Sequence, residues 1–237
     1  MKDRILFIIP AYNEEKSIIQ TVMNIRSFNP NWDVIVINDG STDDTELLCK
    51  RNNVPFISLI MNLGIGGAVQ TGYKYALENG YDIAIQFDGD GQHNIEYVNV
   101  LIESLQDDSH DFVIGSRFIS GDRKGFISSP LRRLGIRLIA LTIGILTQKK
   151  ITDPTSGFRA ANQKVIQYFA QEYPIEFPEP ESLTLLLKQK YRVKEVPVIM
   201  YERQGGRSSI HTWKSAYYMV NVLFSLIIVS FRRFEKK

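Results

Sequence analysis

The chain has 237 residues, of which 44% are hydrophobic and 23% charged, with a formal net charge of +2. These are ordinary globular values, enough for one large core, and so small a net charge leaves no electrostatic footprint for nucleic acid. A single cysteine, Cys49, excludes an intramolecular disulfide and fits a reducing, cytoplasmic compartment.

Taken in chain order, apolar runs at 5–9, 34–37, 56–60, 83–87 and 112–114 read as strands. Amphipathic stretches at about 14–28, from about 43, at 68–77 and at 96–105 read as the helices between them, with Cys49 a small core residue on the second. The start, Met1-Lys2-Asp3-Arg4, enters the first strand with no signal-peptide pattern. Continuous apolar strands alternating with helices predict an α/β fold, a mostly parallel sheet covered on both faces. From about residue 128 the pattern changes to longer helices, with one more strand-like run at 193–200. Basic residues gather between Arg117 and Lys150 and near the C-terminus, while acids favour the first half.

The strand ends carry the chemistry. The first ends in Pro10-Ala11-Tyr12-Asn13-Glu14, the second in Asn38-Asp39-Gly40-Ser41-Thr42-Asp43, and the third leads into Asn62-Leu63-Gly64-Ile65-Gly66-Gly67. The fourth ends in Asp88-Gly89-Asp90-Gly91-Gln92-His93, two carboxylates one residue apart in a turn. Each has a bland reading as a helix cap or tight turn. Four such elements on one edge of a parallel sheet, where ligands bind in α/β folds, instead suggest a nucleotide site. There Tyr12 can stack on a base and Asp39 can accept from a base N–H. Asp88 and Asp90 suit Mg²⁺ or Mn²⁺, cations commonly shared between one or two carboxylates and substrate phosphates. Asp90 is expected to be an exposed turn carboxylate.

These motifs, in order with Gly115-Ser116-Arg117 and Ser156-Gly157-Phe158-Arg159, resemble family 2 glycosyltransferases of the GT-A fold. Within that family the chain is most similar to the dolichyl- or undecaprenyl-phosphate sugar synthases, over about residues 5–209. The resemblance implies an inverting, metal-dependent hexosyltransferase using a UDP-, GDP- or dTDP-linked sugar. By motif it implies nucleotide-sugar contacts at Pro10, Ala11, Tyr12, Glu14, Asp39, Gly66 and Asp88, with Asp90 the metal ligand. Ile65 stands where many relatives carry Lys in the glycine-rich loop.

The acceptor is either a polyprenyl phosphate, already an anion, or a hydroxyl of a lipid-linked glycan, which needs a general base. Glu181 is the expected base, with Glu179 second; a bland reading has both merely complementing a helix N-terminus. Arg117, Arg132, Arg203 and Arg207 are the cations expected to place an acceptor phosphate, and 203–209 resembles the family's loop that closes over the donor. Two other readings, a nucleotidyltransferase and a non-catalytic nucleotide-sugar-binding subunit, fit less well. The first lacks its glycine-rich signature after the opening strand, and the second does not call for an intact Asp88/Asp90 pair.

The final stretch, 216–231, is apolar and flanked by Lys214, Arg232 and Arg233. It is at the short end for a membrane span and contains Asn221 and Ser225. It reads as an interfacial helix on the cytoplasmic face of a membrane, appended as 211–237 to a catalytic domain at 1–210. The alternative is a helix packed on the protein itself, on a small membrane partner or on a second copy of the chain.

Overall fold

The computed structural model describes residues 3–106, 109–119, 130–201 and 212–232. Its centre is a seven-stranded sheet in the order β3-β2-β1-β4-β6-β5-β7. The strands are β1 (Ile5–Ala11), β2 (Asp33–Asn38), β3 (Phe56–Ser58), β4 (Ile83–Gln86), β5 (Phe112–Ser116), β6 (Arg159–Asn162) and β7 (Val193–Pro197). β1 pairs in parallel with β2 and β4, and β2 with β3, so the carboxyl ends of the first four strands share one edge. β6 runs antiparallel between β4 and β5, and β7 continues the sheet parallel to β5.

The helices are α1 (Ile18–Phe28), α2 (Thr45–Arg51), α3 (Gly64–Glu78), α4 (Val98–Gln106), α5 (Pro130–Thr147), α6 (Gln163–Gln171), α7 (Pro178–Lys188) and α8 (Thr212–Ser230). Every residue of β1 is buried, as a central strand with helices on both faces requires. Successive side chains go to opposite layers: Ile5, Phe7 and Ile9 pack with Val22 of α1 and Leu101 of α4, whereas Leu6 and Ile8 pack with Val69 of α3 and Phe169 of α6. Cys49 lies fully buried in the first of these layers, and burial pushes its thiol up to about 11, so it is an inert core residue.

Several elements depart from the sequence expectation: α1 begins at Ile18 rather than about 14, β3 ends at Ser58 rather than 60, and β7 ends at Pro197 rather than 200. β6 is absent from that expectation, because Arg159-Ala160-Ala161-Asn162 has neither β-branched residues nor alternation; neighbours on both sides, not propensity, make it a strand. α3 begins at Gly64, four residues earlier than expected, because the glycines let it approach the α6–α7 connection. A Cβ on Gly66 would stand 2.4 Å from the Pro174 carbonyl oxygen. α7 starts at Pro178, in the first-turn position that proline's fixed φ favours.

The C-terminal helix is a working part of the core. Val222 and Leu226 of α8 are fully buried beside Leu183 and Leu186 of α7 and Ile139 and Ile143 of α5. Its other face leaves Val220, Phe224, Ile228 and Phe231 exposed. Among the described residues α8 therefore has one face packed on α5 and α7 and the opposite face bare.

Candidate active site

The edge formed by β1, β2, β3 and β4 gathers the polar turns. Asn13, with φ +57°, turns the chain out of β1. Its backbone N–H donates to Ser41 Oγ at 3.0 Å, and its side-chain oxygen accepts from Thr42 N at 2.8 Å. Glu14 N donates to Thr45 Oγ1 at 2.9 Å, and the Glu14 carboxylate accepts from Ser17 Oγ at 3.0 Å. The β1 and β2 turns are thus one hydrogen-bonded unit. Pro10 and Ala11 are buried beneath it, and Tyr12 stands out of it with about half its surface exposed, 48%.

Asp39 is 3% exposed and accepts the Leu63 backbone N–H at 2.7 Å. Burial raises its carboxyl above the usual range, while hydrogen bonds from the Leu63 and Gly64 backbone oppose that rise. Asp39 therefore ties the β2 end to the start of α3. A Cβ on Gly66 would meet the Pro174 and Ile175 backbone, so only glycine lets α3 come this close to that connection.

The β4 turn differs from expectation at Asp90. The carboxylate is buried, 2% exposed, and Oδ1 accepts the Gln92 backbone N–H at 3.0 Å. The short Asp-Gly-Asp-Gly turn folds Asp90 inward, so it is not the exposed group its loop sequence suggested. Asp88 is the more accessible of the pair. Its Oδ2 lies 3.0 Å from His93 Nε2, and its carboxylate packs on Gly157, where a Cβ would come within 2.9 Å of Oδ2. Among the described residues no group of three or more His, Cys, Asp or Glu side chains could enclose a metal. Two carboxylates in one turn match the protein share of a Mg²⁺ site whose other ligands are phosphates and water.

Beyond β4 the sheet contributes a second set of charges. Arg117, just after β5, grips Asp153 through two parallel bonds, Nε to Oδ2 at 2.7 Å and Nη2 to Oδ1 at 2.8 Å. Asp153 is fully buried, and Glu195 of β7 holds its loop by accepting from Thr152 N at 2.8 Å and Asp153 N at 2.8 Å. Burial would lower the Arg117 guanidinium, but the hydrogen bonds and charge of Asp153, helped by Asp88, hold it above its ordinary value.

Arg159 of β6 is fully buried and spends its donors on structure: Nε to Ser156 O at 2.6 Å, Nη1 to Ser182 Oγ at 2.8 Å and Nη2 to Glu179 O at 2.9 Å. It fixes the first turn of α7 against the sheet. That turn brings the Glu179 carboxyl into the electrostatic reach of Asp88. Burial, together with the Asp88 charge and despite Arg159, pushes Glu179 upward. Glu181 points elsewhere. It is 7% exposed and accepts a short hydrogen bond from Ser225 of α8. One helical step of two residues rotates a side chain by about 200°, so the two acids of one turn serve opposite faces. Arg132 is exposed in the first turn of α5. Arg203 and Arg207 lie outside the described residues.

The sequence placed Asp39, Asp88 and Asp90 on one sheet edge, and the structure brings Arg117, just after β5, to the same edge. The sequence did not reveal His93, Asp153, Gly157 and Glu195 as their supports. Of these His93 and Gly157 lay inside quoted motifs, though without a role; a lone acid in Thr152-Asp153-Pro154 or within β7 has no signal.

Comparison with known proteins agrees with this geometry. The pattern described as "Glycosyl transferase family 2" matches residues 6–169. The chain is 34% identical over 223 residues to the UDP-N-acetylglucosamine–dolichyl-phosphate N-acetylglucosaminyltransferase of Methanococcus voltae, covering 84% of this chain and 86% of that protein. It is 30% identical over 219 residues to the undecaprenyl-phosphate mannosyltransferase of Micrococcus luteus, covering 87% of each. Among solved structures it resembles glucosyl-3-phosphoglycerate synthase from Mycobacterium tuberculosis in complex with Mn²⁺, UDP and phosphoglyceric acid. That match has a TM-score of 0.71 at 18% identity and covers 98% of this chain and 80% of that one. The likeness establishes a GT-A-like α/β fold. With the pattern spanning more than half of the residues and the two sequence relatives aligned over most of both proteins, the chain belongs to glycosyl transferase family 2.

Proposed function

We propose that this glycosyltransferase moves a sugar from a nucleotide-diphosphate sugar to a polyprenyl phosphate, inverting the anomeric carbon. The observation that carries the reading is the meeting of the Asp39 turn and the Asp88–Asp90 turn on one sheet edge. The relatives named for dolichyl and undecaprenyl phosphate supply the acceptor class. Tyr12 offers a stacking face for the base and Asp39 an acceptor for its N–H, with Pro10, Ala11 and Glu14 shaping the floor. Asp90, with Asp88 alongside, would hold Mg²⁺ or Mn²⁺, and such a cation supplies charge stabilisation for the departing diphosphate. Asp88 takes a sugar or ribose hydroxyl. The anionic acceptor approaches from the side of Arg117, with Arg132, Arg203 and Arg207 as further cations for its phosphate.

Glu179 favours a second acceptor. A carboxyl raised by burial and by the Asp88 charge is suited to take a proton from a sugar hydroxyl on a lipid-linked glycan. In that reading Glu179, not Glu181, is the base. The deciding experiment supplies labelled UDP-, GDP- and dTDP-sugars with Mn²⁺ and vesicles containing either polyprenyl phosphate or a lipid-linked glycan. Label on polyprenyl phosphate supports the first reading, label on the glycan alone supports the second, and no transfer leaves a nucleotide-sugar-binding subunit.

A lipid acceptor calls for contact with a membrane. Among the described residues no helix is long and apolar enough to cross one. α5, which packs against α8, exposes Leu134, Leu138, Leu141 and Ile145 at helical spacing. Neither helix contains Asp or Glu, while Arg132, Arg133, Arg137, Lys214 and Arg232 accompany them. The two helices together fit an interfacial attachment to an anionic, cytoplasmic leaflet. The protein should sediment with anionic vesicles, and Leu141→Asp with Ile145→Asp should release it while nucleotide binding persists. Binding unchanged in that double variant contradicts attachment through α5.

A further inference from the structure

We propose that His93 is a positioning residue that fixes the Asp88 carboxylate for the donor; this rests on the donor site proposed above. The imidazole is packed as a core aromatic. Its side chain is 2% exposed, it stacks on Phe158 with centroids 4.9 Å apart and planes 26° apart, and it meets the Phe87 ring edge-on at 5.1 Å. These two rings set its plane. Its backbone is fixed as well, by a bridge to Met200 and by the neighbouring Tyr201 N donating to Gln92 O at 2.8 Å.

A phenylalanine would satisfy that packing without burying polar atoms. Both ring nitrogens of His93 are buried and neither makes an aligned hydrogen bond. A buried nitrogen without a partner is destabilising, so packing alone does not account for histidine here. The partner is one tilt away: Nε2 is 3.0 Å from Asp88 Oδ2, at bonding distance but out of line. Catalytic hydrogen bonds commonly stand misaligned in a free enzyme and tighten when substrate arrives. On its other side the Asp88 carboxylate meets Gly157, where a Cβ would stand 2.9 Å and 3.0 Å from its two oxygens. Asp88 is thus held between an imidazole and a bare stretch of backbone. The ring limits its side-chain rotation while leaving 31% of the side chain open to a ligand.

Two substitutions separate positioning from packing. His93→Phe keeps the ring and removes the nitrogen. His93→Gln gives up the ring but carries an amide nitrogen at a similar reach. The measurements are melting temperature, nucleotide-sugar affinity by calorimetry with Mn²⁺, and transfer rate. His93→Phe should melt at or above the wild-type temperature yet lose about 10–100-fold in donor affinity or transfer, the usual cost of removing an outer-shell partner. His93→Gln should melt lower and recover part of that loss. A purely structural histidine gives the reverse order, and wild-type donor binding by His93→Phe overturns the proposal. If the wild-type protein binds no nucleotide sugar, the donor-site reading itself fails. The contact then remains readable from ¹⁵N shifts of the imidazole, which should report a protonated Nε2 that responds to Asp88→Asn; an unresponsive ring refutes the contact.

Discussion

Replacing Arg117 by alanine should destabilise the protein before it says anything about catalysis. Asp153 is fully buried and takes both Arg117 bonds, at 2.7 and 2.8 Å, plus the Arg117 backbone N–H at 3.1 Å. Arg117→Ala leaves that carboxylate with the backbone N–H and the Thr155 hydroxyl, 3.2 Å from Oδ1, but no counter-charge. Orphaning one member of a buried ion pair costs about 3–5 kcal/mol, a large share of the roughly 5–15 kcal/mol that holds a typical domain folded. Asp153→Ala should cost less, because the 13% exposed Arg117 can turn toward water. The double variant should be more stable than Arg117→Ala, since it removes the orphaned charge. Urea midpoints with matched slopes measure all three. A loss of under about 1 kcal/mol in Arg117→Ala would refute the claim that the pair is a buried structural clamp. Activity at this position is therefore best read in Arg117→Lys, which keeps the charge and loses the two-pronged geometry.

The same structure fixes the outcome of three further perturbations. Gly157→Ala should displace Asp88, whose oxygens stand 2.9 and 3.0 Å from the new Cβ. The side chain can swing away, so donor affinity should fall while the melting temperature barely changes; unchanged affinity contradicts the contact. Asp111 is held down to about 2 by hydrogen bonds from Arg192 that outweigh its burial, so its folded value lies below its unfolded one. Its contribution is full above about pH 4 and disappears as pH falls toward about 2; Arg192→Met should flatten the acid limb of the stability curve across that window, and an identical limb counts against the pair. Glu179→Gln should retain most of the transfer rate if a phosphate attacks, and should lose about 10²–10⁴-fold if a hydroxyl does, measured with each acceptor at saturation.

Much of this architecture could be read from the chain because apolar runs and polar punctuation are local signals. The runs at 5–9, 34–37 and 83–87 had to be buried strands, and their turns had to meet once the sheet was parallel. What stayed hidden depends on neighbours distant in sequence. β6 exists because β4 and β5 offer it two ladders. Asp90 is buried because its turn closes back through Gln92 N, which composition alone presents as an exposed loop. The choice between Glu179 and Glu181 turns on helix phase: Arg159 anchors the first turn of α7, Glu179 feels the charges of Arg159 and Asp88, and Glu181 meets Ser225. The α8 sequence showed an apolar helix, but not that Val222 and Leu226 would complete the core while the opposite face stayed bare.

Metal-dependent transfer at Asp90 is read out by following a labelled nucleotide-diphosphate sugar to polyprenyl phosphate in anionic vesicles, with Mn²⁺, for the wild-type chain and Asp90→Ala. Label should appear in the organic phase for the wild type, with none in excess chelator and none for Asp90→Ala although that variant still folds. Undiminished transfer with chelator or in Asp90→Ala, or no transfer by the wild type from any nucleotide sugar, would contradict the proposed function.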